Sequence, residues 1–332
     1  MSRLQAPSAL VALLEDPTVT DVLINGPDAV WVDGGAGMRR LALRLGDAAE
    51  VRALAQRLAA QAGRRLDDAS PTVDAHLPGG VRMHAVVPPV APLGPLISFR
   101  VFRREGLTLE ELQARGAVDA DGAALLSSLV AARVNFLISG ATGVGKTTLL
   151  SALVSLAPPV ERIVVIEEAQ EIITAHPHCV RLEARGANAE GRGLVTLTDL
   201  VRESLRMRPD RIVLGECRGP EVREVLTALN TGHEGSAATI HANSSRDVPA
   251  RLAALGSLAG MDGRTVAAQA AAAIDAVVHL VRGPDGARRV RTVAALRLAG
   301  TELVAAPAWS FGGADAGPGP AWGALSKSLE RR

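Results

Sequence analysis

The fold is decided by the stretch Asn135-Phe136-Leu137-Ile138-Ser139-Gly140-Ala141-Thr142-Gly143-Val144-Gly145-Lys146-Thr147-Thr148. The apolar run that ends at Ile138 predicts a buried strand, and the residues after Lys146 predict a helix. Between them, the pattern G-x-x-x-x-G-K-[ST] is matched from Gly140 to Thr147. A strand, a glycine-rich turn and a helix in this order let backbone N–H groups and a helix N-terminus surround a phosphate. The stretch therefore predicts a nucleoside triphosphate site.

The residue types of this loop also predict its cofactors, ATP and Mg²⁺. Lys146 would reach the β- and γ-phosphates, and the Thr147 hydroxyl would hold Mg²⁺. The chain has only one other lysine, Lys327, so a compact ammonium is kept here in a sequence that otherwise uses arginine. The predicted nucleotide-binding residues of the loop are Gly140, Ala141, Thr142, Gly143, Val144, Gly145, Lys146, Thr147 and Thr148.

The composition is that of a globular chain with room for two domains. It has 332 residues, no Tyr, four Phe and three Trp, so the cores must be built from Leu, Val, Ile and Ala. A net charge of +1 indicates no general attraction to nucleic acid or to an anionic membrane. Two cysteines make no disulfide framework, and neither a secretory signal nor a membrane span is evident. We expect a soluble, intracellular protein.

The order of the patterns predicts two domains. Residues 1–104 combine helical patterns at 8–14 and 47–62 with strand patterns at 19–24, 29–32, 40–45, 72–75, 81–87 and 96–102, which predicts a small α+β domain. Residues 105–122 are polar and predict a linker or hinge. Strands and helices alternate over 123–311, which predicts an α/β sheet covered by helices on both faces. Residues 312–332 are rich in Gly, Pro and Ala and predict a disordered tail.

Acidic residues follow two of the predicted strands after the loop. Glu167 and Glu168 come directly after 162–166, and Glu216 follows 211–214. Because ligands of open parallel sheets lie at the carboxyl ends of strands, one acid could hold Mg²⁺ and another could orient the attacking water. Glu216 is the predicted base. Gly215 stands where a Walker B strand generally ends in Asp, so the metal acid could be Glu167 or Glu168.

Histidines and arginines complete the set of candidates. His233 and His241 flank a Gly-Ser turn and a short strand, and could donate hydrogen bonds to a γ-phosphate; a helix-capping or core role stays open. Zinc is disfavoured, because no complete set of four ligands has zinc spacing. Arginines such as Arg82, Arg100 and Arg206 could form a solvated face or reach a phosphate from the first domain or a neighbouring subunit. The chain offers no interleaved aromatics for a nucleic-acid path.

These motifs resemble one family. The loop, then 166–171, then 207–219 and then 231–243 are similar in order and content to the Walker A, Asp, Walker B and His boxes of the type II/type IV secretion ATPases. In the first domain, the segments 63–67, 70–75 and 77–82 resemble the CpaF/TadA branch, which powers tight-adherence (Flp) pili.

The resemblance implies a RecA-like ATPase domain preceded by a smaller, PAS-like α+β domain, in a homo-hexameric ring that hydrolyses ATP between the two. It assigns Glu216 to the Walker B box, Glu168 to the Asp box with a role in metal binding, and His233 and His241 to the His box. Arg82, Arg100 and Arg206 become possible phosphate or inter-subunit contacts. The expected partner is an inner-membrane platform protein at the cytoplasmic face of the membrane, with no direct nucleic acid.

Two further functions stay open. A DNA-translocating or conjugal-transfer ATPase would use the same core, and it differs from a pilus motor in its response to DNA. A regulatory nucleotide switch would need no catalytic acid, so Glu216 counts against it.

Overall fold

The chain divides into two compact units. The computed structural model describes residues 4–35, 37–101, 106–187, 192–312 and 316–330. One unit comprises residues 1–104 with 186–194, and the other comprises 105–185 with 195–332. The predicted boundary between 104 and 105 lies outside the described residues. Each unit has a sheet of its own.

The first unit is an antiparallel sheet with helices, as the α+β prediction requires. Its described helices are α1 (Ser8–Glu15) and α2 (Ala48–Gln61). Its strands are β1 (Asp21–Ile24), β2 (Val30–Asp33), β3 (Met38–Leu41), β4 (Thr72–Leu77), β5 (Val81–Val86) and β6 (Leu96–Val101), in the order β3-β2-β1-β6-β5-β4. α2 begins at a capping box in which Asp47 and Glu50 bond each other's backbone N–H groups. The strand predicted at 40–45 is displaced to Met38–Leu41, and Leu45 packs in the core without joining the sheet.

Alternation along these strands decides which face of the sheet is buried. Val81, Met83 and Ala85 of β5 lie in the core together with Ile97 and Phe99 of β6, while the residues between them lie on the other face. The exposed face therefore carries the polar residues of each strand.

The second unit is the predicted α/β domain. Its helices are α3 (Leu109–Ala114), α4 (Ala120–Ala131), α5 (Lys146–Val154), α6 (Leu197–Ser204), α7 (Val222–Leu229), α8 (Val248–Leu258), α9 (Gly263–Ala273) and α10 (Trp322–Glu330). Its strands are β7 (Phe136–Gly140), β8 (Ile163–Glu167), β9 (Cys179–Glu183), β10 (Arg211–Leu214), β11 (Ala237–His241), β12 (Ala276–Arg282), β13 (Arg288–Ala299), β14 (Glu302–Ser310) and β15 (Gly317–Pro318). None of the helices in the described part of the chain has the length and apolar character needed to span a membrane.

The sheet of this unit places the phosphate loop at its centre. The strand order is β15-β14-β13-β12-β7-β11-β10-β8-β9, parallel from β12 to β9 and antiparallel from β12 to β15. One face packs on α3, α4, α5 and α10, and the other packs on α6 to α9. Because both faces are covered, the residues of the central strands are buried throughout and mostly apolar, rather than alternating between buried and exposed. The prediction of a RecA-like sheet covered on both faces is confirmed.

The hinge prediction for 105–122 is wrong for the described part of that segment. Thr108 and Glu111 form a capping box that starts α3, and Leu109, Leu112 and Val118 are buried in the core of the second unit. The polar residues suggested a linker, but the apolar ones recur at helical spacing and bind the segment to the domain.

The disordered tail predicted at 312–332 is also wrong for the residues described there. Strand β15 pairs with β14, and helix α10 buries Leu325 in the core. Trp322 of α10 meets Trp309 of β14 with ring centroids 5.0 Å apart in an edge-to-face arrangement. Gly, Pro and Ala dominate the composition of the tail, but Trp322 and Leu325 supply enough apolar area to hold it on the sheet.

Candidate active site

The phosphate loop joins β7 to α5 through backbone conformations that favour glycine. Gly145 has φ +94° and caps the N-terminus of α5. Gly140 has φ +153°, and a Cβ atom placed there would lie 2.7 Å from the carbonyl oxygen of Leu280. A side chain at either position would strain the loop or clash with the neighbouring strand. The loop keeps the shape of a cradle that backbone atoms form around an anion.

Lys146 lies across this cradle. Its side chain is 7% exposed, and Nζ donates hydrogen bonds to the carbonyl oxygens of Gly140 and Ala141 at 3.1 and 3.0 Å. Burial lowers the pKa of Lys146, and the negative charges of Glu216 and Glu171 oppose that shift. A largely buried ammonium beside a glycine-rich loop attracts a multivalent anion strongly. The residues present therefore fit a nucleoside triphosphate.

His241 and Glu216 approach the same lysine from the neighbouring strands. His241 is the last residue of β11 and lies opposite Gly140 in the register, which places both ring nitrogens 3.4 Å from Lys146 Nζ. Its Nε2 lies 3.2 Å from Glu216 Oε1. Burial lowers the pKa of His241, the charge of Lys146 lowers it further, and Glu216 opposes both. Lys146, His241 and Glu216, predicted separately from sequence, are brought together.

Glu167 is a buried acid at the end of β8. Its side chain accepts hydrogen bonds from the backbone N–H groups of Glu171 and Ile172 at 3.0 and 2.8 Å. Burial raises the pKa of Glu167 to about 7, although those hydrogen bonds lower it in part. A Cβ atom placed on Gly215 would lie 2.9 Å from Glu167 Cγ. Glu167 thus fills the space that a side chain at position 215 would need, such as the Asp that generally ends a Walker B strand.

A carboxylate within hydrogen-bonding distance of Thr147 belongs to Glu171, a residue that sequence reasoning did not single out. Glu171 Oε2 lies 3.4 Å from Thr147 Oγ1. Glu168, the predicted metal acid, instead pairs with the guanidinium of Arg218. A hydroxyl and a carboxylate together are oxygen ligands that suit Mg²⁺. The turn after β8, fixed by Glu167, aims Glu171 and not Glu168 at Thr147, and the acidic residue five positions after Ile166 was the signal available in the sequence.

The two histidines of the predicted pair do not share a site in this chain. His241 is the last residue of β11, at its carboxyl end, whereas His233 precedes its amino end. The Nδ1 atom of His233 lies 3.1 Å from the carbonyl oxygen of Ala228 in the last turn of α7. Within a single chain, His233 therefore does not lie at the strand end that carries the phosphate loop, and its contact with a γ-phosphate stays a prediction. The strand between them spans ~13 Å at about 3.3 Å per residue.

The candidate arginines lie elsewhere on each unit. In the first unit, Arg82 and Arg100 are cross-strand partners on the exposed sheet face, and they pair with Asp74 at 3.1 Å and Asp21 at 3.3 Å. In the second unit, Arg206 is largely exposed after α6 and pairs with Glu203 at 3.3 Å. The described contacts of these three arginines are with acids and backbone groups at the surface.

A buried histidine, also not singled out from sequence, supports the strand that leads into the loop. His279 Nδ1 of β12 lies 2.9 Å from the Oγ atom of Ser139, the residue before Gly140. Burial lowers the pKa of His279, while a hydrogen bond with the backbone of Asn243 and the charge of Asp247 oppose the shift. The ring therefore ties β7 and β12 to the segment after His241.

Comparisons with known proteins agree with this arrangement. The chain is 50% identical over 314 residues to a putative conjugal transfer protein of Mycobacterium tuberculosis, covering 93% of this chain and 89% of that protein. It is 31% identical over 291 residues to the conjugal transfer protein TrbB of Rhizobium radiobacter, covering 86% and 85%. The X-ray structure of the ATPase DotB of Legionella pneumophila matches with a TM-score of 0.62 at 19% identity, covering 89% and 82%, and shows the same fold.

Residues 4–306 match the model of a protein family that is described as "Type II/IV secretion system protein". That match spans most of the chain, including the loop, the strand-end acids and His241. The chain belongs to the type II/IV secretion system protein family and is an ATPase of that family.

Proposed function

We propose that this family member is a Mg²⁺-dependent motor in which ATP hydrolysis at the loop 140–148 drives assembly or secretion at the inner membrane. The observation that carries the proposal is the contact chain from Lys146 to His241 to Glu216 at the end of the phosphate loop. A cation at the start of α5 and a carboxylate base after β10 are the parts that phosphoryl transfer to water requires.

Each residue has a role that follows from its contacts. Lys146, released from the carbonyl oxygens that it now contacts, binds the β- and γ-phosphates. Glu216 accepts a proton from the attacking water. The lowered pKa of His241 favours its uncharged ring, which orients the Glu216 carboxylate. Thr147 and Glu171 would hold Mg²⁺, which supplies charge neutralisation when bound. Glu168 is then a secondary candidate, because its carboxylate is paired with Arg218.

We further propose that the working form is a homo-hexameric ring, in which arginines act between subunits. Arg206 is largely exposed and held by a single described ion pair, a pair that contributes little and breaks easily. Arg82 and Arg100 stand side by side on the open face of their sheet, where a guanidinium pair could meet phosphate oxygens. His233 precedes the amino end of β11, at the sheet edge opposite the loop, and we assign it an inter-subunit rather than a local role.

The cargo that we favour is a pilin of the tight-adherence (Flp) type, delivered through an inner-membrane platform protein at the cytoplasmic face. The first-domain segments at 63–67, 70–75 and 77–82 support this choice. DNA transfer is the second candidate, and it is favoured by the names of two relatives, both called conjugal transfer proteins.

The test of the chemistry is the ATPase rate of the purified chain and of three variants. Lys146→Ala should abolish turnover, and Glu216→Gln should bind ATP but hydrolyse it at least ~100-fold more slowly, because a positioned base contributes about that factor. The matched control is Glu302→Gln, which changes an exposed acid on β14 and should keep the full rate. A wild-type rate in Glu216→Gln would remove Glu216 from the mechanism.

The same assay with duplex and single-stranded DNA separates the two cargoes. A slow basal rate that ignores both DNAs supports the pilus motor. Stimulation of several fold, lost in Lys146→Ala, would replace it with the DNA-transfer function.

A further inference from the structure

The hairpin between β12 and β13 stands beside the phosphate loop, on the opposite side from the acids. β12 pairs with β7 as far as His279, which lies opposite Ser139, and then continues to Arg282 before the chain returns at Arg288. At about 3.3 Å per residue, the hairpin extends ~10 Å beyond that pairing. A Cβ atom placed on Gly145 would lie 3.6 Å from Arg288 Cδ. The stem of Arg288 therefore lies beside the last glycine of the loop, at the distance where a methyl group added to Gly145 would touch it.

The other charged groups of this hairpin are engaged in holding its shape. Arg289 pairs with Asp285 through two contacts of 3.0 and 2.5 Å, and Arg282 Nε donates to the carbonyl oxygen of Gly286 at 3.2 Å. Within the described part of the chain, no hydrogen bond or ion pair engages the guanidinium of Arg288. Because successive side chains of a strand point to opposite faces, Arg288 lies on the face away from Arg289. The structure thus places beside the loop an arginine, Arg288, whose guanidinium has no described polar partner.

The strand order fixes which end of a nucleotide this cation meets. Lys146 approaches His241 and Glu216, which lie on the β11 and β10 side of β7. The reacting γ-phosphate must lie on that side, since the proposed base is there. The hairpin flanks β7 on the other side, through β12. A triphosphate that follows the loop therefore directs its non-reacting end toward Arg288.

We propose that Arg288 binds the α-phosphate of the nucleotide, as a second cation supplied by the same chain. The proposal rests on the proposed ATPase function. A guanidinium presents paired N–H donors that match two phosphate oxygens. The α-phosphate is not altered by hydrolysis, so the contact binds ATP and ADP alike. Such uniform binding lowers KM without changing kcat.

The test compares Arg288→Ala with wild type for binding and for turnover. The Kd values of ATP (measured with the Glu216→Gln change present in both proteins), ADP and AMP should each rise about tenfold, which is the loss expected for a charge-assisted hydrogen bond. KM for ATP should rise by the same factor with kcat within about twofold. Arg288→Lys should recover part of the affinity. Arg297→Ala, an exposed arginine farther along β13, is the matched control and should change neither constant.

Several outcomes separate this proposal from the function on which it rests. Unchanged Kd values for all three nucleotides would remove Arg288 from the site. A fall in kcat with unchanged ADP and AMP affinity would place Arg288 at the reacting end and overturn the assignment. A wild-type chain that binds no nucleotide would instead refute the ATPase function. Thermal unfolding without nucleotide should give the same midpoint for wild type and Arg288→Ala, since the guanidinium has no described partner.

Discussion

Replacing Glu167 by Gln should change how the stability of this chain depends on pH. Burial at the end of β8 raises the pKa of this carboxyl group from 4.5 to about 7, and its side chain is only 4% exposed. The folded state therefore holds the proton more tightly than the unfolded state. The protonated form contributes stability that is fully present below pH 4.5 and is lost as the pH rises through 7. Glutamine cannot titrate, and its oxygen can still accept the hydrogen bonds from Glu171 and Ile172.

The size of the effect is set by the two pKa values. Their difference corresponds to about 3 kcal/mol at 1.36 kcal/mol per pH unit. Between pH 5 and pH 8, the linkage equation assigns about 2.5 kcal/mol of this to the wild-type chain and none to Glu167→Gln. For a domain of about 200 residues, each kcal/mol moves the unfolding midpoint by roughly 2–4 °C. The midpoint of Glu167→Gln relative to wild type should therefore rise by about 5–10 °C from pH 5 to pH 8.

The measurement is thermal unfolding of the full chain, followed by circular dichroism, at several pH values between 5 and 8. Comparing the variant with wild type cancels the titration of every other group. Glu168→Gln is the matched control, because it makes the same substitution at the neighbouring carboxylate, which is a third exposed and pairs with Arg218 at the surface. A flat difference for Glu167→Gln as well would show that Glu167 is ionised at little cost, and would refute its role as a buried, protonated support for Glu171.

Two further predictions concern the metal site and the C-terminal helix. Glu171→Gln should raise the Mg²⁺ concentration for half-maximal ATPase activity about tenfold, because a charge-assisted contact near Thr147 is lost. Glu168→Gln should raise it less than about threefold. The reverse order in a Mg²⁺ titration would restore Glu168 as the metal acid. Leu325→Ala should lower the free energy of unfolding by about 2–5 kcal/mol, because Leu325 is only 1% exposed. Leu298 is 41% exposed, so Leu298→Ala should cost less than about 1 kcal/mol in the same urea titration. Equal midpoints for the two variants would mean that α10 does not pack on the sheet.

The central sheet could be predicted from sequence because its signals are local. Ile138, Ile166 and Leu214 each end an apolar run that is short enough for a buried strand, and the glycine pattern after Ile138 predicts the turn and the helix that continue from the first strand. Since parallel strands end at one edge of the sheet, the meeting of Lys146, Glu216 and His241 follows from the strand assignment alone. That part of the site needed no knowledge of side-chain geometry.

The remaining features depend on three-dimensional packing. Glu171 reaches Thr147 because a turn held by the buried carboxyl group of Glu167 redirects the chain after β8. Arg288 is distant from the loop in sequence and reaches it through the hairpin that β12 extends beyond its pairing with β7. Neither contact has a sequence spacing that marks it, because each is set by the path of a turn.

The absence of an acid at Gly215 shows how the two neighbouring strands constrain each other. A side chain at Gly215 would meet Glu167 Cγ at 2.9 Å, so one acid occupies the space between β8 and β10. In this chain the acid comes from β8, where burial keeps its pKa near 7 and its carboxyl oxygen holds the Glu171 turn. Glu216 follows Gly215 after the end of β10, and its carboxylate contacts His241. In the mechanism proposed above, this division would separate a buried acid that positions the metal side from an accessible acid that meets water, which is the separation of environments that two carboxyl groups with different tasks require.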